Sequence, residues 1–147
     1  MQFVIAAAVL VIALAIGAFL RRRRTVDAPT QPVFAAPAQI DRGDFADAHA
    51  PWLVAVFSSA SCDACEDVVR KAKVLACAAV DVVEVEYTAS VELHRKYHVD
   101  AVPIAVVADQ AGVVRASFIG PMSATDLWAA VAEARHPGSS PEPDLGH

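Results

Sequence analysis

Residues 61–65 read Ser-Cys-Asp-Ala-Cys, which sets Cys62 and Cys65 two residues apart directly after the apolar run Trp52-Leu-Val-Ala-Val-Phe57. Cysteines at this spacing can exchange disulfides, form half of a zinc site, or hold a soft ion such as Cu(I). The redox reading has a physical basis if a helix opens at Cys62. Unpaired backbone N–H groups and the positive end of the helix dipole then favour thiolate over thiol there. Cys65, three residues on, lies on the same face one turn later, where it can attack a mixed disulfide at Cys62 and release the partner. Asp63 suits a helix N-terminus, yet its negative charge beside Cys62 opposes thiolate formation, so its two effects on reactivity conflict in sign. A zinc site needs further ligands, and no second C-x-x-C or H-x-x-x-H follows at finger-like spacing, so no metal is expected.

The elements that must position this pair alternate in type. Trp52 to Phe57 is a short continuous apolar run, as a strand buried on both faces would be. After Cys62, Val68, Val69, Ala72, Leu75 and Ala76 recur at offsets of three and four, which predicts a helix with Ser61 as its N-cap. Val80 to Val85 is β-branched and reads as a second strand, followed by a short helix over Val91 to Tyr97 with Leu93 and Tyr97 on one side. Ala101 to Ala108 reads as a buried strand, Gln110-Ala-Gly112 as a turn, Val113 to Ile119 as a further strand, and Ala124 to Arg135 as a helix with a Leu127, Val131, Ala134 stripe. This order implies a βαβ unit with parallel pairing plus an antiparallel hairpin, hence an α/β mixed sheet flanked by helices. Its reactive position is the carboxyl end of the first central strand, where Cys62 falls.

Outside this core the composition changes. Phe3 to Leu20 carries no charge and no proline, and eighteen residues make about 27 Å of helix, enough for one transmembrane anchor over 3–20. Only Met1 and Gln2 precede it, whereas Arg21 to Arg24 follow at once, so the expectation is an uncleaved single-pass anchor in the cell membrane with the C-terminal domain on the cytoplasmic side. Residues 21–39 form a basic juxtamembrane segment and a linker with Pro29, Pro32 and Pro37, and 136–147 read as a disordered tail. All seventeen acidic residues but only eight of the twelve basic ones follow Arg24, a net charge of −9 that argues against a nucleic-acid partner. The arginine tetrad is placed to meet anionic lipid headgroups instead.

The segment 40–135 resembles a thioredoxin-like domain. The passage Leu53 to Cys65 resembles that family's active-site entry, Lys96-Tyr-His-Val-Asp-Ala-Val-Pro103 resembles the stretch leading to its cis-proline, and Gly112 and Gly120 fall where it places turn and strand-end glycines. The resemblance implies that Cys62 attacks, that Cys65 resolves, and that Pro103 is a cis-proline facing them across the substrate groove. It further implies that the backbone at Val102 pairs with a substrate strand. The chain departs from the family at three places. Ser61 stands where a tryptophan is usual, Asp63-Ala64 where Gly-Pro is usual, and Val56 where a buried aspartate often serves the resolving thiol.

The function expected is therefore a membrane-tethered thiol–disulfide oxidoreductase acting on protein or small-molecule disulfides. The chain shows no flavin or nicotinamide motif, so no cofactor is expected and a separate electron donor must reset the pair. The competing expectations are a non-catalytic binding module on the same scaffold and a copper chaperone using the same cysteines. Cys77, twelve residues beyond Cys65 and about 18 Å along an unbroken helix, cannot bridge to either cysteine and is expected to be a small buried residue. His94 and His98 are expected on the surface, and Trp52 and Trp128 in or near the core.

Overall fold

The structure, a computed structural model, describes residues 34–45 and 47–139. The expected anchor at 3–20, the arginines, most of the linker and the tail beyond 139 lie outside the described residues. Among the described residues no helix is long and apolar enough to cross a membrane.

After a 3-10 turn at Arg42–Asp44, the chain forms β1 (Trp52–Ser58), α1 (Asp63–Lys73), β2 (Val80–Glu86), α2 (Val91–Lys96), β3 (Ile104–Ala108), β4 (Val114–Ile119) and α3 (Ala124–Arg135). The strands make one sheet in the order β2-β1-β3-β4. β1 and β2 run parallel, with Trp52 against Val80 and Ser58 against Glu86, while β1–β3 and β3–β4 are antiparallel. The βαβ unit and the hairpin are thus both present.

β1 and β3 are continuous apolar runs because both their faces are covered. On one face Leu53, Ala55 and Phe57 pack with Ile40, Phe45, Tyr97, Val99 and Ile104. On the other, Val54 and Val56 pack with Val68, Val69 and Ala72 of α1 and with Leu127 and Val131 of α3. β4 alternates between half-buried and exposed positions, as an edge strand covered on one face does. The chain before the expected boundary at Ile40 also joins the sheet: Ala38 O accepts from Val114 N at 3.0 Å and Gln39 bridges Val113.

Several local expectations are corrected. Cys62, not Ser61, is the N-cap of α1, and no side chain caps the helix. α1 stops at Lys73, so Ala76 is exposed and Cys77 leaves the helix to form a bridge with Val80, with mutual N–H to carbonyl bonds of 3.0 Å. That reversal carries Cys77 off the apolar stripe, and its thiol is exposed rather than buried. His94 is buried, 3 % exposed, because α2 lays this residue against Phe57, with the imidazole edge-on at 5.2 Å and its Nε2 2.9 Å from Val85 O. His98 is exposed past the helix end at φ 53, so the two histidines share no helical face. Trp52 is half-buried, whereas Trp128 is exposed and donates its indole N–H to Lys71 O at 3.3 Å across the α1–α3 contact.

The strand at Ala101 starts only at Ile104, since Pro103 has no N–H to give to a ladder.

Candidate active site

The turn from β1 into α1 is built by short polar residues. Cys62 N donates to Ser59 O at 3.0 Å, Ser61 N to Ser59 Oγ at 3.3 Å, and the two serine hydroxyls lie 3.0 Å apart. Glu86, at the end of β2, holds this turn from the side by accepting from Ala60 N at 3.2 Å. It also accepts from Thr88 Oγ1 at 2.5 Å and Ala89 N at 2.9 Å. Those donors, Thr88 first, keep the Glu86 carboxyl below its usual range although desolvation acts the other way.

Cys62 and Cys65 are joined as a disulfide with Cα atoms 5.4 Å apart. The pair is asymmetric. Cys62 is partly exposed at the N-cap, whereas Cys65 is 2 % exposed inside the first turn of α1. Cys62 Sγ lies 3.9 Å from Val102 O, and the Val102–Pro103 peptide is cis. Pro103 is itself buried, and its carbonyl accepts from Gly120 N at 2.8 Å. The fold thus brings together all four residues picked out from sequence, Cys62, Cys65, Val102 and Pro103, although forty positions separate Cys62 from Val102.

A cleft of about 580 Å³ opens on the other side of the disulfide, lined among others by Cys62, Cys65, Lys73, Glu84 and Glu86. Glu84 and Ser58 were not singled out from sequence. The available signal was the period-two placement of Glu84 and Glu86 in an otherwise β-branched strand, which puts both carboxylates on one face. Among the described residues no group of three or more His, Cys, Asp or Glu is placed to hold a metal ion.

No protein-family model and no curated protein matches the chain. Solved structures do. A mutant thioredoxin from Halobacterium salinarum superposes with a TM-score of 0.55 at 20 % identity, over 68 % of this chain and 93 % of that one. Fasciola hepatica thioredoxin gives 0.53 at 22 %, over 62 % and 88 %. The oxidized form of mitochondrial thioredoxin 3 from Saccharomyces cerevisiae gives 0.50 at 22 %, over 58 % and 80 %. The domain has a thioredoxin-like fold.

Within this thioredoxin-like domain the disulfide occupies the carboxyl end of β1, where the sheet order and the start of α1 meet. Val56, two residues before Ser58 on the same face of β1, is fully buried and apolar. Its partner across the β1–β2 ladder is Glu84.

Proposed function

We propose that this chain is a membrane-tethered thiol–disulfide oxidoreductase that exchanges disulfides of proteins or small molecules through Cys62 and Cys65. The observation that carries the reading is the asymmetry of the pair: an accessible sulfur at a helix N-cap beside Val102 O, and a buried sulfur one turn on. In the reducing direction Cys62 attacks a substrate disulfide, a mixed disulfide forms, and Cys65 resolves it to leave Cys62–Cys65 oxidised. A substrate segment running past Val102 would find an unpaired backbone edge there, as Pro103 contributes no N–H. A separate donor, outside this chain, must return the pair to the dithiol.

Tethering rests on the sequence: the uncharged stretch 3–20 followed by Arg21 to Arg24 supports a single-pass anchor in the cell membrane with the domain on the cytoplasmic side. A reducing compartment then favours the reductase direction.

The test is reduction of insulin disulfides by the full chain in mild detergent with a dithiol as donor. Catalysis in the parent and its loss in Cys62→Ser are expected, while undiminished turnover in Cys62→Ser ends the proposal. Alkylation of intact cells with a membrane-impermeant thiol reagent, before lysis and a permeant one, tests placement. Protection of Cys62 and Cys65 until lysis is expected, and labelling from outside reverses the topology.

A further inference from the structure

On the face of the sheet that packs against α1, β1 presents Val54 and Val56, and β2 presents Val80 and Val82. Alternation places Ser58 and Glu84 next along the same face, toward the disulfide end. The run of apolar residues stops there. Ser58 is 1 % exposed and donates its hydroxyl to Glu84 Oε1 at 2.8 Å. The other carboxylate oxygen of Glu84 lies 3.6 Å from Lys73 Nζ, at the last turn of α1. Both Glu84 and Lys73 line the cleft that reaches Cys65.

A buried resolving thiol needs a proton acceptor before it can attack, since the thiolate and not the thiol is the nucleophile. The other carboxylates of the cleft are poorly suited. Glu86 is committed to Ala60 N, Thr88 Oγ1 and Ala89 N, and Asp63 and Glu66, at the start of α1, have no hydrogen bond or ion pair among the described residues to hold them toward Cys65. Val56, buried on the same face of β1 as Ser58, offers no acceptor. Glu84, its side chain 36 % exposed, is the one held by both a buried hydroxyl and an ammonium, and it lines the same cleft as Cys65.

We propose that Glu84 takes the proton of the Cys65 thiol across this cleft, with Ser58 and Lys73 as positioning residues that hold its carboxylate. This assignment rests on exchange at Cys62 and Cys65. The Cys62 thiolate attacks one sulfur of the substrate disulfide, the Cys62–substrate bond forms, and the first substrate sulfur leaves as a thiolate. The Cys65 S–H proton passes to Glu84. The Cys65 thiolate then attacks Cys62 Sγ, the Cys62–Cys65 bond forms, and the second substrate sulfur leaves and receives the proton from the Glu84 carboxylic acid. In the oxidising direction the same groups return the proton to Cys65.

The experiment follows the reduced full chain, in mild detergent, against a small aromatic disulfide by rapid acid quench and mass spectrometry, at pH 6 to 9. The first step is read as release of the first aromatic thiol and the second as decay of the mixed disulfide at Cys62. In the parent, decay is nearly flat across neutral pH. In Glu84→Gln it is slower by about 10²-fold at pH 7, within the range of a lost general base. It then climbs about tenfold per pH unit, because only pre-ionised Cys65 can attack. The first step changes little, Glu84→Asp recovers part of the flat profile, and Ser58→Ala falls between. A merely structural role would lower the rate by a constant factor at every pH, and that result, or an unchanged profile, overturns the assignment. If the parent forms no mixed disulfide at all, the oxidoreductase reading itself fails, which the first step reports separately.

Discussion

Two glycines with nearly the same backbone conformation separate fold stability from site geometry. Gly112 has φ 78 and Gly120 has φ 87, a region where an alanine costs roughly 1–2 kcal/mol. Their surroundings differ. A Cβ on Gly112 would sit 2.0 Å from Ile40 O and 2.9 Å from Gln39 Nε2, whereas one on Gly120 meets nothing within 4 Å. Gly112→Ala must therefore also push residues 38–40 off the hairpin, breaking the 2.9 Å bond from Ile40 N to Gly112 O and loosening Ile40, which is 1 % exposed. Exposure of that isoleucine adds about 1.5–3 kcal/mol. The expected losses are about 1–2 kcal/mol for Gly120→Ala and about 2.5–5 kcal/mol for Gly112→Ala. For a domain of this size the second corresponds to a fall in Tm of about 10–40 °C. Urea unfolding followed by circular dichroism measures both, with equal m-values required for the comparison. Function should rank the other way. Gly120 N donates to Pro103 O at 2.8 Å, so Gly120→Ala disturbs the loop facing Cys62, while Gly112→Ala lies at the opposite end of the hairpin. Per folded molecule, exchange falls in Gly120→Ala and persists in Gly112→Ala. Equal stability losses for the two variants refute the argument from Cβ contact.

Cys65→Ser leaves the accessible Cys62 without its resolving partner, so a mixed disulfide with substrate accumulates and survives non-reducing electrophoresis; rapid turnover in this variant contradicts the division of labour. Phe57→Ala removes a fully buried ring near the carboxyl end of β1, where it meets both His94 and Tyr97 edge-on, and costs about 3–5 kcal/mol by denaturant titration. Asp44 accepts from Lys96 at 2.7 Å and from the Tyr97 hydroxyl, and these donors, Lys96 first, hold its carboxyl below the usual 3.8 against a smaller opposing effect of burial. An acid whose folded-state pKa is depressed contributes its stability above the unfolded value and loses it as pH falls through the folded value. Asp44→Asn is thus expected to lower stability by about 1 kcal/mol at pH 7 and to flatten the loss below pH 3.8, as read by urea midpoints from pH 2 to 7.

The two-residue spacing of Cys62 and Cys65, the apolar run that delivers them and the stripe on α3 are local features, and local periodicity determined them in the sequence. Neighbouring residues suffice to set which side of a strand or helix is apolar. They do not say where that helix ends or what lies opposite. Leu75 and Ala76 continue the helical spacing, yet the pairing of Cys77 with Val80 stops α1 at Lys73 and exposes the thiol. His94 reads as polar, yet α2 packs it on Phe57, where Nε2 lies within hydrogen-bond reach of Val85 O and Nδ1 is buried without a partner among the described residues. The approach of Val102 to Cys62 was legible only through resemblance to a known family, because forty residues separate them. The meeting of Ser58 with Glu84 had no such guide. It follows from the parallel register of β1 on β2, a long-range choice made by burying both faces of the sheet at once, and that choice is what puts a carboxylate beside the resolving cysteine's cleft.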